Sequence, residues 1–181
     1  MRAAALTLGW TTCAAVACAT GTLIAAEGGS AGGTGTMPSA TSEQPLTFEP
    51  RHSHLHASGK GDARVTWLLL TAEDPGTLAW RKKLPNADAL LTWCTAHKAA
   101  FVLVELDAKG KAELLTQCSA DGAQIVSMIS VINGLPSVVV ETQVNDGTHF
   151  KGRVTGGSGS CGDMVYCEKT MDYVFDARFP R

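Results

Sequence analysis

Large apolar side chains are scarce between Glu27 and Asp62 and then arrive in unbroken runs, and this change divides the chain. The first stretch holds Gly28-Gly29-Ser30-Ala31-Gly32-Gly33-Thr34-Gly35 and the prolines Pro38, Pro45 and Pro50. Such a composition buries too little surface to offset chain entropy, so residues 27–62 read as a flexible Gly/Ser/Pro linker. Residues 63–181 then read as one folded domain, which fits a chain of 181 residues. No internal repeat is visible.

Residues 1–26 look like an export segment. After Met1-Arg2 no charge occurs until Glu27, and Ala3 to Ala26 is rich in Ala, Leu, Val and Thr. The small-residue exit Ile24-Ala25-Ala26 suits cleavage of a signal peptide. A retained membrane anchor is the second reading, since about 24 uncharged residues can cross a bilayer. Ala15-Val16-Ala17-Cys18 resembles a lipoprotein signal without its usual leucine. Each version makes the protein exported: periplasmic, secreted or membrane-anchored.

Formal net charge is −2. Between Arg64 and Arg181, twelve Lys or Arg face thirteen Asp or Glu. Without a basic excess there is no electrostatic footprint for nucleic acid. Of the six cysteines, Cys13 and Cys18 lie in the export segment. Cys94, Cys118, Cys161 and Cys167 remain, and three full pairings are open.

Within the domain, Val65 to Leu70 and Ala99 to Leu106 are continuous apolar runs of the kind that form buried strands. Leu78 to His97 carries apolar residues mostly three and four apart, which predicts a helix broken near Pro85. Asp107 to Gly110 turns the chain, Ala112 to Cys118 reads as a helix, and Gln124 to Ile132 as a strand or short helical segment. Ser137 to Val140 is a strand, Asn145-Asp146-Gly147 a hairpin turn, and His149 to Val154 the returning strand. Met164, Val165, Met171, Val174 and Phe175 give Asp163 to Phe179 near-helical spacing. Strands separated by helices imply a partly parallel sheet, so the expected class is α/β with a mixed central sheet flanked by helices.

That order resembles the thioredoxin-like fold over Arg64 to Phe179. The residues that carry the resemblance are Leu135-Pro136-Ser137-Val138-Val139-Val140, the turn Asp146-Gly147, and Gly152-Arg153-Val154-Thr155-Gly156. The resemblance implies a cis bond at Pro136. It also implies that the loop after the first strand, at Asp74 and Pro75, lies beside the loop of Leu135 and Pro136 as a contact surface. One departure is plain: where that family carries Cys-x-x-Cys, this chain has Ala72-Glu73-Asp74-Pro75-Gly76-Thr77. A dithiol reaction needs two thiols within bonding distance. The resemblance therefore implies an exported, non-catalytic module that binds a protein or peptide partner.

Two alternatives stand beside it. Cys161 and Cys167 are six residues apart, a rise of about 9 Å in a helix, whereas bridged Cα atoms lie within about 6.8 Å. With Cys161 folded back from its Gly-rich loop the two can bond, a pairing favoured here over Cys94–Cys118. A thiol–disulfide oxidoreductase would use Cys161 and Cys167, or Cys94, in nonstandard positions. Cys94 and His97 also share a helix face, although a nucleophilic dyad needs an orienting partner and a pocket. Secondly, His52, His54 and His56 alternate and project to one side of an extended chain, where they suit zinc or copper. The second alternative is thus a metal-binding envelope protein. No cofactor motif, phosphate loop, Ser-His-Asp order or zinc-protease motif appears.

Overall fold

The structure, a computed structural model, describes residues 29–74, 87–129, 131–132, 135–157, 160–161, 165–166 and 170–179. It corrects the expected class. The main strands are β1 (Gly29–Met37), β2 (Leu46–Phe48), β3 (His52–Ser58), β4 (Val65–Thr71), β5 (Phe101–Leu106), β6 (Ala112–Cys118) and β7 (Gln124–Met128). They are joined by β10 (Val138–Asn145), β11 (His149–Gly157) and β14 (Thr170–Arg178). Together they form one ten-stranded sheet in the order β10–β11–β14–β1–β3–β4–β5–β6–β7, with β2 on β1. Every pairing is antiparallel. The sheet curls into a half-barrel, not a helix-flanked thioredoxin-like fold. Two short ribbons lie outside it, β8 (Val131–Ile132) with β9 (Leu135–Pro136) and β12 (Ser160–Cys161) with β13 (Val165–Tyr166). Among the described residues the α-helix is α1 (Ala87–His97), and no helix there is long and apolar enough to cross a membrane.

Two expected helices are strands. Thr170–Arg178 alternates strictly: Met171, Tyr173, Phe175 and Ala177 are buried, while Asp172, Val174, Asp176 and Arg178 point the other way. That period of two belongs to a half-buried strand. Ala112–Cys118 holds good helix formers, but β5 and β7 flank it and pair with it over most of its length. Pairing and burial on both sides override a propensity worth tenths of a kcal/mol per residue. The two apolar runs are central strands, as expected, and both their faces are covered. Leu68, Leu70, Val102 and Val104 belong to the inner core. Leu69, Phe101 and Leu103 belong to an outer cluster, closed by Leu90, Trp93 and Cys94 of α1.

The stretch expected as a linker supplies β1, β2 and β3. Three of its four large apolar side chains, Met37, Phe48 and Leu55, are 1 %, 2 % and 2 % exposed and enter the inner core. Its glycines serve close approach rather than flexibility. A Cβ on Gly35 would stand 2.0 Å from the Tyr173 hydroxyl, and one on Gly33, at φ +92°, would stand 2.1 Å from the Asp172 carbonyl oxygen. The Tyr173 ring thus fills the space a side chain at 35 would take, and meets Phe48 edge-on with ring centroids 5.5 Å apart. Burial raises the Tyr173 phenol well above its ordinary pKa, and its oxygen has no hydrogen-bond partner among the described residues.

β1 pairs with β14 from Ser30 to Gly35 but with β3 only at Gly29 and Ser30. At that seam the buried Ser53 hydroxyl reaches the Ser30 and Asp176 carbonyl oxygens at 2.8 and 3.2 Å. Overpacking a tight core contact costs about 1–3 kcal/mol. Gly35→Ala is therefore expected to lower stability by about that amount, read as a lower urea midpoint, whereas Gly32→Ala, whose Cβ would meet the Val174 side chain at an ordinary 3.5 Å, should cost little. Equal losses at the two positions would disprove the close-approach account.

Candidate functional site

The residues singled out by sequence fall in separate places. Asp74 is exposed, three residues beyond the end of β4, and Pro75 lies outside the described residues. Leu135 and Pro136 form β9 and pair with β8 (Val131↔Pro136, Ile132↔Leu135), so they do not open a core strand. No peptide bond among the described residues is cis, and the bond implied at Pro136 is not. With no parallel core, the reason for setting these two loops side by side is gone.

The bonded pair among the described residues is the one ranked second by spacing, and the favoured Cys161–Cys167 pairing falls outside them. Cys94 and Cys118 are bonded, with sulfurs 2.04 Å and Cα atoms 6.4 Å apart. Cys161 lies in β12, while its side chain and Cys167 lie outside the described residues. Spacing alone could not show the observed pair, because Cys118 was assigned to a helix; as the end of β6 it lies under α1. Both sulfurs are fully buried, as suits a structural staple rather than an exchanging pair. Bonded Cys94 has no thiol to offer a dyad, and the Nδ1 of His97 faces the Trp93 carbonyl oxygen at 3.0 Å.

His52, His54 and His56 alternate along β3 on the outer face, since Leu55 between them points into the inner core. His54 is buried and His52 and His56 are partly so. Burial lowers the His56 pKa, and its ring lies 5.8 Å from that of Trp67. Among the described residues, no three His, Cys, Asp or Glu side chains gather to hold a metal ion.

Strand register builds a surface that the sequence did not suggest. Reading across the outer face, His56 lies opposite Trp67, Trp67 opposite Glu105, Glu105 opposite Leu114, and Leu114 opposite Met128. The Trp67 indole donates to Glu105 Oε2 at 2.9 Å. This row ends at β7, the edge of the sheet, where Val126 is 56 % and Met128 80 % exposed. The Ile129 N–H donates to the Glu113 carbonyl oxygen at 2.9 Å. Alternation along an antiparallel strand then turns Ile125 and Ser127 toward β6, and the N–H and C=O groups of Gln124, Val126 and Met128 toward the open side. The edge Gln124-Ile125-Val126-Ser127-Met128 has no charge, proline or register shift. The opposite edge, β10, carries Glu141 and is bulged between Thr142 and Val144.

Elsewhere two carboxylates fasten loops. Asp121 accepts from the Ser39 and Ser119 hydroxyls, each at 2.6 Å, and from the Ala40 N–H at 2.9 Å, pinning the segment after β1 to the β6–β7 turn. Asp146 accepts from the N–H and hydroxyl of Thr148 and the N–H of His149 in the β10–β11 turn. Comparison with protein-family profiles, with curated proteins and with solved structures finds no match for this chain.

Two measurements follow from this geometry. Hydrogen bonds hold Asp121 far below, and Asp146 at about 2 against, an ordinary carboxyl value of 3.8. A depressed folded value stabilises above the unfolded value and is lost as pH falls through the folded one. Urea midpoints should therefore drop as pH falls from about 4 toward 2, less steeply in Asp121→Asn and Asp146→Asn; parallel curves would contradict these roles. Closing a loop of this length contributes about 3 kcal/mol, so Cys94→Ala/Cys118→Ala should lose about that much, while the native protein yields no thiol from either position in a mass-mapped alkylation.

Proposed function

We propose that the chain is an exported binding module whose partner is an extended peptide segment of another protein, added as a further antiparallel strand on β7. The observation that carries this reading is the open β7 edge: three outward-facing backbone N–H and C=O pairs beside exposed Val126 and Met128. Proteins ordinarily blunt such edges with charge, proline or a bulge. β10 is treated in this way and β7 is not. Strand addition takes affinity from main-chain hydrogen bonds and selectivity from alternate side chains. A partner strand lying next to β7 would set apolar residues against Val126 and Met128, at the end of the row that leads to Leu114, Glu105 and Trp67. A peptide with uncharged, β-branched residues at alternate positions suits that row.

Export is the second half of the reading. It is supported by the bonded Cys94–Cys118 pair, since disulfides persist in oxidising compartments, and by the uncharged run Ala3 to Ala26. The thiol–disulfide alternative draws no comparable support from two fully buried, bonded sulfurs.

Val126→Pro tests the reading. It removes an outward N–H without touching the bonds to β6, a position where an edge strand tolerates proline. Labelled heptapeptides with Val, Ile or Thr at alternate positions should bind the wild-type chain in fluorescence polarisation, and Val126→Pro should weaken them at least tenfold at unchanged melting temperature. Wild-type protein that selects no peptide, or a proline variant that binds equally well, would end the proposal. So would a wild-type dimer in sedimentation that Val126→Pro dissolves, because the edge would then belong to a second copy.

A further inference from the structure

Methionine is a soft, apolar side chain that ordinarily fills gaps in a core. Met37 and Met171 do so here. They are 1 % and 2 % exposed, both belong to the inner core, and the Met171 sulfur accepts from Gln117 Nε2 at 3.4 Å. Met128 is placed in the opposite way. It ends β7, at the edge of the sheet, and is 80 % exposed. Met1 and Met164 lie outside the described residues. On the outer face Leu114 lies across from Met128 on β6, and exposed Val126 lies two residues back along β7. The accessible thioether therefore stands where a partner strand on β7 would cover it.

A thioether open to water is oxidised by hydroperoxides, whereas one sealed in a core is shielded from them. The sulfur lone pair attacks one oxygen of the peroxide. An S–O bond forms and the O–O bond breaks. The proton on the transferred oxygen passes to the leaving oxygen, so hydrogen peroxide departs as water. Sulfur gives up two electrons and the peroxide takes them. The product, a sulfoxide, is polar and chiral where the thioether was apolar, and reductases that draw on thiols convert it back.

We propose that Met128 is a hydroperoxide-sensitive modification site and that its sulfoxide weakens strand addition at β7, an inference that rests on that reading of the edge. In the free chain the sulfoxide oxygen stays in water, so the fold is undisturbed. A partner strand would lie about 4.8 Å from β7 and cover the side chain. The oxygen must then give up its water beside Leu114 and Val126, which have no side-chain donor to replace it, and a buried acceptor left unpaired is costly. The outward N–H and C=O groups of Gln124, Val126 and Met128 are untouched, so oxidation lowers affinity without abolishing the main-chain pairing.

The test treats the full chain with dilute hydrogen peroxide and maps the added oxygen by mass spectrometry. Met128 should convert at least tenfold faster than Met37 and Met171. The labelled heptapeptides should then bind the oxidised chain at least fivefold more weakly, at unchanged melting temperature. Met128→Leu, compared with itself before and after peroxide, should show no loss of affinity, which separates this site from oxidation elsewhere. Met128→Gln, polar as the sulfoxide is, should bind weakly without any peroxide. Equal oxidation of the three methionines, or equal peptide affinity before and after oxidation, would overturn the inference and leave strand addition standing. An untreated chain that binds no peptide would instead end strand addition itself, and the switch with it.

Discussion

The sheet is continuous because β1 approaches β14 more closely than any residue with a side chain at Gly35 would permit. On one side of β1 lies the meander β3 to β7, and on the other lie β10, β11 and β14. Among the described residues β1 is the strand whose backbone pairs with both groups, by a long register with β14 and a two-residue one with β3. The inner core draws on both groups, from Val138 and Phe150 on one side to Leu115 on the other. Tyr173 is the wedge at this seam. Leaving its hydroxyl buried and unbonded costs about 1–3 kcal/mol, which the packing of its ring against Phe48 and the surrounding core must outweigh.

The strands that were legible in the sequence are those buried on both faces. Leu68–Leu70 and Phe101–Val104 are apolar at every turn of the pleat because an inner core and an outer cluster with α1 cover them. The Asn145-Asp146-Gly147 turn was equally plain, since local chemistry alone specifies it: Gly147 sits at φ +86° and Asp146 caps the following N–H groups. What failed was inference from glycine and from propensity. Glycines at 33 and 35 look the same whether they loosen a tether or make room for a neighbouring strand, and only the position of Tyr173, more than a hundred residues away, decides between the two. Met171, Val174 and Phe175 can be read at helical spacing, but the stricter alternation of Met171, Tyr173, Phe175 and Ala177 was already present in the letters. Once those segments were taken for helices, a parallel sheet and the resemblance to the thioredoxin-like fold followed from one error.

The candidate surface was less legible still, because it is made by register. Trp67, Glu105, Leu114 and Met128 stand in one row only after four strands have been aligned, and nothing local in any of them announces the others. The exposed edge was nearer the surface of the sequence: Gln124 to Met128 is short, uncharged and free of proline. Its significance comes from contrast with the bulged, acid-bearing β10, and that contrast requires knowing which two strands are the edges.

The place of β1 in the middle of the sheet also sets how the molecule would sit in its surroundings. Only Glu27 and Gly28 separate Ala26 from the first residue of β1, and three Cα steps reach about 10 Å at full extension. An apolar run kept in a bilayer would therefore leash the half-barrel tightly against the lipid headgroups, with little freedom to swing. If the run is instead cut away after Ala26, the mature chain begins only two residues before a strand that is paired on both sides.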